Sequence, residues 1–171
     1  DIGAPGVNIL STIGVSASSL YSQNFQSLSP PAVPGNWAAT GDWGTFDAAG
    51  DVVLYGDVNN VPYASSANTT ITANSQDLTS GVGTTISFFT ACDTEYNFWS
   101  DYMVLEISAN GSTFSELLRW NEPFIDIDGN PSGSAGYYFS GLEIPAAFRT
   151  STFAYRFRWV TDSDSDTGSL G

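Results

Sequence analysis

The chain has 171 residues, of which 42% are hydrophobic and 14% aromatic; this suffices for one domain with a real core and excludes a disordered chain. Eighteen acidic residues stand against four arginines, with no lysine and no histidine, for a net charge of −14. That balance excludes nucleic acid as a partner and disfavours an anionic membrane surface.

Taken in order, residues 1–14 read as an apolar arm, in which Val7, Ile9, Leu10 and Ile13 are the candidate contact residues. Ser16 to Ser22 reads as a polar connector, so that an arm and connector over 1–20 precede a single domain over 21–171. Phe25 to Leu28 is expected to form a short strand before the loop Ser29-Pro-Pro-Ala-Val-Pro-Gly35, whose prolines forbid helix. Trp37, Trp43 and Phe46 suit a short hairpin that caps one end of a core. Val52 to Tyr55, Ser66 to Ala73 and Thr84 to Ala91 are predicted strands, and the last, continuously apolar, is expected to be covered on both faces.

The clearest strand is Asp101 to Ser108, with Met103, Leu105 and Ile107 on one face and Tyr102, Val104 and Glu106 on the other. Asn110-Gly111 predicts a two-residue type I′ turn into a returning strand, Thr113 to Trp120, and this hairpin is expected at the centre of a sheet. Tyr137 to Phe139 and Leu142 to Ile144 read as separate extended pieces. Phe153 to Val160 alternates, with Arg156 and Arg158 side by side on its polar face. Strands bounded by turn signals, with no long amphipathic helix, predict an all-β sandwich or barrel.

With no histidine, a Ser-His-Asp or Cys-His mechanism cannot be built within the chain, and a transition-metal site has too few suitable ligands. Cys92 is the only cysteine, so no internal disulfide forms; at the end of an apolar strand it is expected as a buried thiol. No apolar run is long enough to span a bilayer, and no cationic signal segment is visible at Asp1. Asn68-Thr-Thr and Asn110-Gly-Ser match the glycosylation sequon. Calcium is the candidate cofactor, because alternating oxygen ligands recur on acidic loops. The candidate ligands are Asp126, Asp128 and Asn130; Asp162, Asp164 and Asp166; and Asp93 and Asp101, with Glu95 in the same cluster. Trp99, Tyr137 and Tyr138 are the candidate aromatics for stacking on a sugar ring or a peptide.

Two resemblances add to this reading. Ala4-Pro-Gly-Val-Asn-Ile-Leu-Ser-Thr12 resembles the strand that precedes the catalytic serine segment in subtilisin-like serine proteases, although the Gly-Thr-Ser-Met-Ala motif does not follow. Gly35-Asn-Trp37, Ser66-Ala-Asn-Thr69, Asp77-Leu-Thr79, Thr85-Ile-Ser-Phe88, Phe157-Arg-Trp159 and above all the run Asp101 to Phe114 resemble the jelly-roll accessory domains of bacterial secreted proteins. These are the MAM-like, immune-inhibitor-like and anchor-associated modules, some of which are inserted in subtilisin-like proteases. The resemblance implies an antiparallel jelly-roll β-sandwich with an extended N-terminal arm. It also implies an apparently missing last strand, since the family's closing strand would begin about where Gly171 ends the chain.

The expected function is that of a non-catalytic, extracellular or cell-surface module that acts by protein–protein contact. The expected partner is a protein, further copies of this chain included, with assembly head-to-tail by donation of the 1–14 arm as a strand. The alternative is a substrate- or carbohydrate-binding module of a secreted subtilisin-like protease.

Overall fold

A computed structural model describes residues 13–15, 18–48, 50–56, 64–81, 83–90, 101–120 and 137–163. Within them the chain is all-β and antiparallel, apart from one 3-10 turn at Ala146–Phe148. Two sheets and a hairpin make up the fold of the described residues. The four-stranded sheet runs β10 (Tyr137–Glu143), β7 (Thr85–Thr90), β1 (Ile13–Val15), β2 (Ser18–Tyr21). The five-stranded sheet runs β3 (Ala38–Thr40), β6 (Asn68–Thr72), β11 (Ala154–Val160), β8 (Tyr102–Ser108), β9 (Ser115–Trp120). The hairpin pairs β4 (Gly44–Ala48) with β5 (Asp51–Tyr55).

The sheets meet across one apolar core, an arrangement consistent with a β-sandwich. Phe88 of β7 packs 5.3 Å from Phe157 of β11 and 5.3 Å from Trp120 of β9, centroid to centroid. Phe139 of β10 lies 5.5 Å from Trp120. The alternation of β11 is realised: Phe153, Tyr155, Phe157 and Trp159 are buried, while Arg156 and Arg158 are only partly so. Residues 103–108 of β8 are buried on both faces, with β11 on one side and β9 on the other.

Several expectations are corrected. The centre of the five-stranded sheet is β11, because it pairs with both β6 and β8, whereas β9 has only β8 as a partner among the described strands. The β8–β9 connection is longer than a type I′ turn. Gly111 has φ +71, but Asn110 does not share the positive φ that such a turn requires. Instead, Asn110 Oδ1 accepts hydrogen bonds from the N–H groups of Ser112 (2.9 Å) and Thr113 (2.8 Å), so a side chain organises the tip.

Phe25 to Leu28 is not a strand. Phe25 has φ +52 and is fully buried with its ring 5.7 Å from that of Trp37, and the chain turns there through Leu28 N–H to Phe25 C=O at 2.9 Å. Trp37 and Trp43 join the core, but Phe46, in the exposed second half of β4, is 42% exposed. Ser18–Tyr21 of the expected connector is a strand, held by backbone pairing that a polar sequence permits. The two pieces after residue 136 are one strand, β10, whose register shifts between Phe139 and Leu142 around Gly141 (φ +68). Ile13 lies in β1, and β1 sits between β7 and β2 of the same chain. Val7, Ile9, Leu10 and Cys92 lie outside the described residues.

Candidate binding surfaces

The outer face of the five-stranded sheet gathers three of the four arginines. Cross-strand register sets Arg156 opposite Thr72 and Glu106, and Arg158 opposite Thr70 and Val104. Val104 in turn faces Arg119. Glu106 is the hub: its carboxylate accepts from Arg156 Nε at 2.5 Å and lies 3.5 Å from Arg158 Nη1. Its side chain is 8% exposed, so it carries a charge in a poorly hydrated place, and the paired guanidiniums compensate. Arg158 Nε also donates to Asn68 Oδ1 at 2.8 Å.

Two rings support the arginines. The guanidinium of Arg156 lies 4.1 Å from the Phe114 centroid, and that of Arg119 lies 4.2 Å from the Tyr102 centroid. Arg119 grips Glu116 through Nε and Nη2, the latter at 2.6 Å from Oε2, and this carboxylate holds the arginine more firmly protonated than an isolated one. Three arginines against Glu106 and Glu116 leave this face net positive on a chain of −14.

Two recesses open at the ends of the same sheet. One, about 280 Å³, is lined by Asn36, Ala38, Thr72, Asn74, Asn110 and Ala154, among others. The other, about 300 Å³, lies between Gly41, Asp42, Gly56 and Trp159.

Of the calcium candidates, the structure brings Asp101 and Asp162 together. Asp101 is 1% exposed and its Oδ1 accepts from the backbone N–H of Asp162 at 2.7 Å. Among the described residues no three acidic, histidine or cysteine side chains are grouped to hold a metal ion. Asp93, Asp126, Asp128, Asn130, Asp164 and Asp166 lie outside the described residues, as does Trp99. Tyr137 opens β10 and Tyr138, the next residue, is 50% exposed.

Sequence reasoning placed Arg156 and Arg158 on one face but missed Glu106 as their shared anion and the amide-lined recess. The alternation of β8 put Glu106 on an outward face; the signal it lacked was the register with β11. No protein-family model, curated protein or solved structure matches this chain.

Proposed function

We propose that this chain is a non-catalytic extracellular β-sandwich module that works by protein–protein contact, with the arginine face of the five-stranded sheet as its docking surface. The observation that carries the reading is the convergence of Arg119, Arg156 and Arg158 on one sheet face of a strongly acidic molecule. The arginines are oriented by Glu106, Glu116, Tyr102 and Phe114 before any partner arrives, which lowers the ordering cost of binding. Arg119 and Arg158 retain 35% and 31% of their side-chain exposure, so each can add a contact while keeping its internal one.

The partner is a second copy of this chain. A positive face on a net-negative molecule is complementary to the rest of its own surface, and such a contact is head-to-tail. Sedimentation velocity across protein concentration and ionic strength tests it. Self-association at low salt, weakened by added salt and by Arg158→Glu with Arg119→Glu, is the expected result. A monomer under every condition overturns it. The reading of residues 1–14 as a donated strand is a separate proposal: deletion of those residues should then leave a monomer, while Arg158→Glu should not.

A further inference from the structure

We propose that the 280 Å³ recess at the β8–β9 tip is a binding site for a neutral, hydroxyl-rich ligand, that is, a saccharide. The site goes beyond the docking face and uses none of its arginines.

Its floor is made of methyl groups. Ala38 pairs with Thr72 across β3 and β6, and Ala154, 3% exposed, lies beside them, while the next residue, Ala73, belongs to the core beneath. Small side chains here let a ligand approach the sheet closely and offer an apolar patch to the C–H face of a sugar ring. Each larger residue at these positions would fill the recess.

Its rim is made of carboxamides and hydroxyls. Asn36, Asn74 and Asn110 come from three different connections and converge on the recess, with Thr72 and Ser75 between them. Asn36 and Asn74 form no side-chain hydrogen bond among the described residues, and both are exposed. Asn110 is different. Its Oδ1 accepts from Ser112 N–H, Ser112 Oγ, Thr113 N–H and Ser108 Oγ, which fixes the amide plane and leaves Nδ2 with its two donors uncommitted among the described residues. A carboxamide carries two donors and one acceptor, which matches vicinal hydroxyls that both donate and accept. Held in place by the tip, Asn110 loses little side-chain entropy on binding.

Charge selects the ligand class. Among the described residues the lining contains no ionisable side chain, and the nearby Arg156, opposite Thr72, is already engaged by Glu106 and the Phe114 ring, so a carboxylate, sulfate or phosphate finds no uncommitted cation in the lining. The volume lies at the lower end of small-ligand sites, which suits one or two sugar units in an open recess.

The test is an NMR titration of the whole chain with neutral gluco-, xylo-, manno- and galacto-oligosaccharides, read on the side-chain amide signals of Asn36, Asn74 and Asn110. At least one sugar should give saturable shifts at these three amides. Asn36→Ala and Asn74→Ala, both on exposed side chains, should each weaken binding about tenfold, the loss expected for one well-placed hydrogen-bond pair. Ala154→Val tests the floor and should abolish binding, with an unchanged backbone spectrum as its control for folding. The proposal is overturned if no neutral sugar shifts these signals at millimolar concentration, if sugar shifts map elsewhere, such as Tyr138, or if the recess takes extended peptides instead. None of these outcomes touches the arginine face, whose own test is self-association.

Discussion

Asp101, buried at the start of β8, accepts a hydrogen bond on Oδ1 from the backbone N–H of Asp162, just beyond β11, at 2.7 Å. The contact closes the end of the sheet where β8 begins and β11 stops. The neighbouring Thr161 side chain donates to Ala64 C=O at 2.8 Å and accepts from Ala67 N–H at 2.7 Å, so the segment before β6 is pinned at the same point. A buried carboxylate with such a role is a structural latch whether or not a cation also uses it. Asp101→Ala removes the acceptor and leaves an N–H without its partner, and should cost about 1–3 kcal/mol. Asp101→Asn keeps an oxygen in place and should cost less. Urea unfolding of the two variants checks this; equal losses would show that the hydrogen bond is not the source.

Glu106 holds two arginines on one carboxylate. Glu106→Ala leaves Arg156 and Arg158 facing each other without their shared anion. A fully buried pair broken in this way costs about 3–5 kcal/mol, but these arginines keep a quarter to a third of their exposure, so about 2 kcal/mol is expected. Chemical denaturation measures it, and a double-mutant cycle with Arg156→Met isolates the pair.

Gly41 adopts φ +74, and a Cβ built there would overlap Thr69 Cγ2. Gly41→Ala therefore combines left-handed strain with a steric clash and should destabilise by about 2 kcal/mol or more. Thr69 Oγ1 also accepts from Trp43 Nε1 at 3.0 Å, so the tryptophan emission should shift. Adding Thr69→Ser removes Cγ2 and keeps that acceptor. The double variant should recover part of the clash component, because Thr69 Cβ would still lie 2.8 Å from the new Cβ, and should retain the backbone strain, as read by its melting temperature.

Asp77 Oδ1 accepts from the Thr79 hydroxyl at 2.6 Å and the Thr79 N–H at 2.9 Å, and these bonds hold its carboxyl below the ordinary value of 3.8. A depressed folded value means that the contribution is present above the unfolded pKa and is lost as pH falls through the folded one. Side-chain carboxyl NMR should place the Asp77 midpoint below the ordinary value, and Thr79→Ala should return it towards that value.

Much of the strand content was legible because it depends on local alternation. Phe153 to Val160 shows a clean period of two, and Ile71, Ile86 and Leu105, each in a predicted strand, are fully buried. Loop anchors were not legible. Phe25 looked like a strand residue, since a single aromatic does not reveal that its ring turns back onto Trp37. Asn110-Gly111 looked like a two-residue turn, because the competing hydrogen bonds to Asn110 Oδ1 depend on how Ser112 and Thr113 fold.

By itself, then, the sequence determined the all-β class, the acidity of the molecule, the core faces of its long strands and the pairing of Arg156 with Arg158 on one side of a strand. These follow from composition and from the alternation of side chains along an extended backbone. Only the tertiary structure decided that β11 is central, that Ile13 lies in a strand of the chain's own sheet, that Glu106 joins the two arginines and that Asn36, Asn74 and Asn110 border one recess. The physical reason is register. Strands distant in sequence acquire their neighbours through backbone pairing, and a shift of one residue would turn Glu106 away from the arginines and into the core.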